Sequence, residues 1–130
     1  MTNQTQRSEK NDEESNATRK LMERFNNAFE AHRPDELDDL IGEGCVLENT
    51  TPAPDGARYE GREACLTFWK GVASNADLVF EPEDIWTSGD RGIIRWQLRW
   101  SERKVDRVRG VNIMRVRDGK IVEGMGYVKG

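Results

Sequence analysis

Two asparagines set among apolar strand residues carry the clearest chemical signal in this chain. Asn49 follows Leu47 and Cys45 at steps of two, and Asn112 shares a strand face with Met114. A carboxamide donates and accepts hydrogen bonds but has no proton to release near neutral pH, so neither residue can act as a general acid or base. A buried amide without partners costs about 1–3 kcal/mol. Two of them at inward positions suggest a polar handle for a ligand or an ordered water.

The groups able to move a proton lie elsewhere. Glu48, Asp84 and Glu123 are the candidate acids or bases. A one-residue slip would bring Glu48 inward in place of Asn49, but Leu47 and Cys45 share the face of Asn49, which favours Asn49. His32, the only histidine, comes at a helix end, where a surface or capping role is the simpler account. Cys45 and Cys65 show no CxxC or histidine spacing, and read as two small buried apolar residues rather than a disulfide or metal pair.

The elements that position these residues follow from periodicity. Residues 1–16 are polar apart from Met1 and cannot bury enough surface to offset their ordering entropy. They are expected to be a disordered polar tail, or at most a polar extension of the first helix. From Ala17, Leu21, Met22, Phe25, Ala28 and Phe29 recur at helical steps. Arg33-Pro34 ends this helix, and Pro34 opens a second with Leu37, Leu40 and Ile41, closed by Gly42 and Gly44. A short strand from Cys45 to Asn49, a loop from Thr50 to Gly61, and a third helix from Arg62 to Ser74 come next. Strands follow over Leu78–Trp86, Ile93–Trp100, Val108–Val116 and Lys120–Val128, with a hairpin turn at Asp118-Gly119. Helices first and an antiparallel meander after predict an α+β fold.

Composition bounds the partners. At 130 residues the chain is one domain, residues 17–130 by this reading. A net charge of −4, with basic and acidic residues interleaved, gives no reason to expect nucleic acid. No apolar run reaches membrane-spanning length and no signal peptide is visible, so no membrane partner and a cytoplasmic location are the default expectations. No cofactor or metal motif is recognised.

The order of these elements resembles the NTF2-like superfamily, and within it the SnoaL-like, ketosteroid isomerase-like domains. Glu60-Gly61-Arg62-Glu63 before the third helix contributes to the likeness. Its most specific part is the stretch from Arg109 to Glu123, which holds Val111-Asn112-Ile113-Met114-Arg115 and Asp118-Gly119-Lys120-Ile121. The resemblance covers residues 17–130. It implies a cone in which three N-terminal helices pack on a curved, mainly antiparallel sheet around a deep apolar pocket, and homodimers paired through the outer sheet face. The family's isomerases use a Tyr, a base Asp and a second Asp where this chain has Phe25, Asn49 and Asn112. Epoxide hydrolase-like members use an Arg and two Asp residues. The last Asp would fall near Gly126, and Arg95 and Arg99 lie opposite the tryptophan face. Polyketide cyclase-like members commonly carry Glu-His-Trp where this chain has Glu123-Gly124-Met125. Isomerase activity is therefore not expected.

Alternation gives the expected pocket: Phe25, Phe29, Leu47, Asn49, Phe68, Trp69, Trp96, Trp100, Asn112 and Met114, with Gly124 leaving room. Plain core packing is the simpler account of most of the aromatic residues. Two classes of function stay open. One is an enzyme of isomerase, cyclase or hydrolase type acting on a small hydrophobic molecule. The other is a noncatalytic pocket or dimerisation module. Val111, Ile113, Met125 and Tyr127 alternate with the pocket residues and are expected on the outer face, where a second copy would cover them.

Overall fold

The computed structural model describes residues 3–130, with side chains from residue 9 onward. Helix α1 runs Asn3–Glu30, 28 residues. The stretch expected as a disordered tail is thus helical from Asn3, as the polar extension of the first helix, and Met1 and Thr2 lie outside the described residues. Gln, Glu, Lys and Arg are good helix formers. Four hydrogen bonds also tie the middle of α1 to the opposite hairpin. Thr18 Oγ1 donates to Gly89 O at 2.7 Å, Arg19 Nη1 to Ile85 O at 2.9 Å and Thr87 Oγ1 to Ser15 O at 3.0 Å, while Ser15 Oγ accepts from Gly89 N at 2.8 Å.

Helix α1 ends at a left-handed residue, His32 at φ 54°, with Arg33 N bonded to Ala28 O at 2.8 Å. Pro34 then starts only a single 3₁₀ turn, Pro34–Leu37, where a full second helix was expected. Asp38 and Asp39 are weak helix formers, and Ile41 already pairs with Ile121 in the sheet. Leu37 and Leu40 are buried all the same.

Strand β1 spans Ile41–Glu48, longer than expected at its start, and the short β2, Arg58–Glu60, lies in the expected loop. Helix α2 covers Arg62–Ser74, as its apolar spacing predicts. Strands β3 (Val79–Ser88), β4 (Arg91–Arg99), β5 (Arg107–Arg117) and β6 (Lys120–Val128) complete one sheet in the order β2-β1-β6-β5-β4-β3. Only β1 and β6 pair in parallel; the other neighbours are antiparallel. Register shifts at Ile41/Val46, Pro82/Asp84 and Arg115/Val116 are the irregularities that bend such a sheet. The result is an α+β cone with an open, curved sheet whose concave face holds α1 and α2. Leu21, Met22, Phe25, Ala28 and Phe29 of α1 and Cys65, Leu66, Trp69 and Ala73 of α2 are buried against it.

Candidate functional site: a neutral cavity between helices and sheet

Two glycines let indoles approach the sheet. A Cβ on Gly124 would sit 2.8 Å from Trp69 Cζ2, and one on Gly110 would sit 2.8 Å from Trp96 Cζ2. With no side chain at either position, the six-membered rings of both indoles come within contact of the strand backbone. Phe25 meets Trp69 edge-on, with centroids 5.1 Å apart and planes at 81°, and Phe29 lies 4.8 Å from Phe25. Phe80 joins Phe29 at 5.7 Å and Trp96 at 6.3 Å. The helices do not fill the remaining space, and a cavity of about 430 Å³ is left. That is within the size range of small-molecule sites.

The structure brings ten of the eleven sequence-predicted residues to this cavity: Phe25 and Phe29 from α1, Leu47 and Asn49 from β1 and its end, Phe68 and Trp69 from α2, Trp96 and Trp100 at β4, Asn112 from β5 and Gly124 from β6. Trp100 is 46 % exposed and stands at the opening. Met114 does not line it. This residue pairs opposite Gly92 and Gly124, at the closed end where Met22 and Trp69 occupy the space over those glycines, and it is fully buried there. Phe80 and Asn26 are wall residues the sequence reading missed. The signal for Asn26 was available, because Met22, Asn26 and Phe29 fall at four- and three-residue steps on the buried face of α1.

Beside the indole N–H groups, the polar side chains of the wall are three amides, two threonines and one glutamate. Trp96 Nε1 donates to Asn112 Oδ1 at 3.0 Å. An indole N–H is a donor only, so this bond fixes which way the amide points and leaves its NH₂ for another partner. Asn49 Nδ2 donates to Thr51 Oγ1 at 3.2 Å, which leaves its carbonyl oxygen. Asn26 is 4 % exposed, and neither its Nδ2 nor its Oδ1 has a hydrogen-bond partner. Among the described residues, none lining the cavity is Lys, Arg or His, and Glu48 is the one carboxylate. Its Oε2 accepts from Arg58 Nη1 at 2.9 Å across the β1–β2 pair, on the side away from Leu47 and Asn49.

The other candidate acids, bases and nucleophiles lie off the cavity. Asp84 Oδ1 accepts from the Ile85 amide at 2.8 Å, and Glu123 is paired with Arg91 and Arg115 at 3.5 and 3.8 Å. His32 Nδ1 donates to Ala73 O at 3.0 Å, joining the ends of the two helices. Cys45 and Cys65 are buried together between β1 and α2. Burial and the neighbouring Cys65 push the Cys45 thiol far up, and burial raises Cys65 as well. Neither is a ready nucleophile. Among the described residues no helix is long and apolar enough to cross a membrane.

A cone of this topology with a cavity at this place defines the NTF2-like class of domains. The chain belongs to the SnoaL-like domain family, whose model matches residues 22–124. It is similar to an NTF2-like protein of unknown function from Mesorhizobium loti, at 50 % identity over 89 % of this chain and 93 % of that one, with a TM-score of 0.83. Two more distant structures share the fold alone. One is a putative ketosteroid isomerase from Kribbella flavida, at 18 % identity over 90 % of this chain and 81 % of that one, TM-score 0.76. The other is an epoxide hydrolase from M. tuberculosis, at 21 % identity over 89 % and 81 %, TM-score 0.69. No curated protein matches the chain by sequence.

Proposed function

We propose that the chain binds a small, uncharged, largely apolar molecule in this cavity and does not perform acid–base chemistry on it. One observation carries the reading: the wall combines aromatic rings with three carboxamides, and its single carboxylate is held outward by Arg58. Isomerisation needs a group that takes and returns a proton beside an oxyanion donor. At the corresponding places stand Phe25, with no hydroxyl, and Asn49, with no titratable proton. Tryptophan emission reads the binding directly, because Trp69, Trp96 and Trp100 all touch the cavity. Titration with tetralone, a compact bicyclic ketone, should shift that emission saturably. A β,γ-unsaturated ketosteroid should pass through unchanged. Turnover of the ketosteroid by the pure protein, abolished by a change at Asn49 or Asn112, would overturn the reading.

The outer sheet face supports a homodimer. Trp86, Ile93, Ile113 and Met125 stand opposite one another across β3, β4, β5 and β6, and Val111 pairs with Tyr127 in the same sheet. Trp86 is 47 % and Tyr127 55 % exposed. The polar face of α1 cannot cover this stripe, because α1 lies on the concave side. A second copy related by a two-fold axis covers it with its own stripe. Ion pairs such as Arg109 with Glu83 at 2.9 Å border the stripe, and Arg109 holds the Glu83 carboxyl below its ordinary range.

A further inference from the structure

Asn26 is the anomaly of the cavity wall. It projects from the C-terminal part of α1, between Met22 and Phe29 on the helix face that packs into the core. Its amide carries one acceptor and a two-proton donor, and the protein gives neither a partner. Both atoms are also out of reach of solvent, so bulk water does not satisfy them. A leucine would fill the same volume without an unmet polar group, and natural interiors leave few such groups. An amide kept there against that cost has a use when the cavity is full.

We propose that Asn26 recognises a cis-amide edge on the bound molecule, the N–H and C=O of a lactam or cyclic imide. The inference rests on the binding function proposed above and names the polar chemistry of its ligand. A carboxamide is self-complementary to such an edge: its NH₂ donates to the ligand carbonyl and its oxygen accepts the ligand N–H. Either orientation of the Asn26 amide presents this pair. Neither amide atom is open to the empty cavity, so recognition requires the Asn26 side chain to rotate as the ligand enters. A ketone, ether or alcohol offers only part of the match. A carboxylate matches worse, because it is acceptor-only and, among the described residues, no cation lines the cavity. Asn112 offers the same edge less freely, since one lone pair of its oxygen already accepts from Trp96.

Three probes of nearly one shape test this: dihydroquinolinone, which has the lactam edge; its N-methyl derivative, which lacks the donor; and tetralone, which replaces the nitrogen by carbon. Calorimetric titration of the full chain should give the lactam about tenfold tighter binding than either of the others, the worth of one or two neutral hydrogen bonds to buried groups. The Asn26→Leu variant should bind all three alike. Binding to the wild-type chain does not depend on how that variant folds. Equal binding of lactam and N-methyl lactam by the wild-type chain overturns the inference while leaving the binding function in place. So does a lactam advantage that survives in Asn26→Leu. If none of the three binds, the binding function itself fails, and the inference with it.

Discussion

Replacing Gly124 by alanine puts a methyl carbon where the indole of Trp69 rests. The new Cβ would lie 2.8 and 2.9 Å from Trp69 Cζ2 and Cη2, and 3.3 Å from Met114 Sδ. Carbon atoms pack at about 3.5–4.0 Å, so the indole must retreat by about 0.7 Å or more. Trp69 is 4 % exposed and Phe25 meets it edge-on, which leaves the cavity as the one direction of escape. Overpacking of this kind costs about 1–3 kcal/mol. Gly71, also on α2, is the control. A Cβ there meets nothing within 4 Å, and a glycine inside a helix is less stable than alanine by about 0.5–1 kcal/mol, so Gly71→Ala should stabilise. Urea denaturation at one fixed protein concentration, followed by tryptophan emission, should give Gly124→Ala a midpoint about 1 M lower with an unchanged slope. The same variant should bind tetralone more weakly, because the displaced ring enters the cavity. Stability within about 0.3 kcal/mol of the parent and an unchanged emission spectrum would refute the packing of Trp69 on β6, since effects that small belong to surface positions.

Other consequences are direct. Asn112→Leu leaves the Trp96 indole N–H unpaired in a wall where Trp96 is 8 % exposed, and should destabilise by about 1–3 kcal/mol in the same urea assay. Cys45 and Cys65 should resist alkylation in the native protein at neutral pH and react fully in denaturant, read by mass spectrometry. The raised Cys45 thiol has a sign for stability. Unfolded chains release this proton above the ordinary thiol value of 9.0 and the folded chain does not, so stability should fall as pH rises past that value. Ile113→Glu, in the middle of the outer-face stripe, should convert the proposed dimer to monomer by sedimentation; a parent chain that is already monomeric at micromolar concentration contradicts the proposed assembly.

The meander and the pocket face were legible because alternation survives burial. Ile94, Trp96, Leu98 and Trp100 fall on the cavity side, as their step of two requires, and the boundaries of α2 and β6 follow from their apolar spacing and turn residues. Four features were not read, for separate reasons. The polar first half of α1 lacks an apolar face to signal it, and it is anchored where Ser15 Oγ accepts from, and Thr18 Oγ1 donates to, the backbone of Gly89, more than 70 positions away. The second helix shrank to one turn because Ile41 finds a strand partner in Ile121, a pairing no local pattern displays. Met114 was misplaced because alternation gives the face of a residue but not its depth along the cone. Asn26 was overlooked although its spacing puts it on the buried face of α1; its importance shows only once its lack of partners is visible.

The central claim is that the cavity holds its ligand with neutral groups and moves no proton. Tetralone affinity, measured by calorimetry from about pH 5 to about pH 9, tests this most directly, because that span brackets histidine and the carboxylates and amines that active sites shift. A wall of amides and indoles predicts an affinity that stays level within about twofold, since none of those groups changes charge there. A tenfold or greater change across the range, with the midpoint of a single ionisation, would place a titrating group at the ligand and contradict the account.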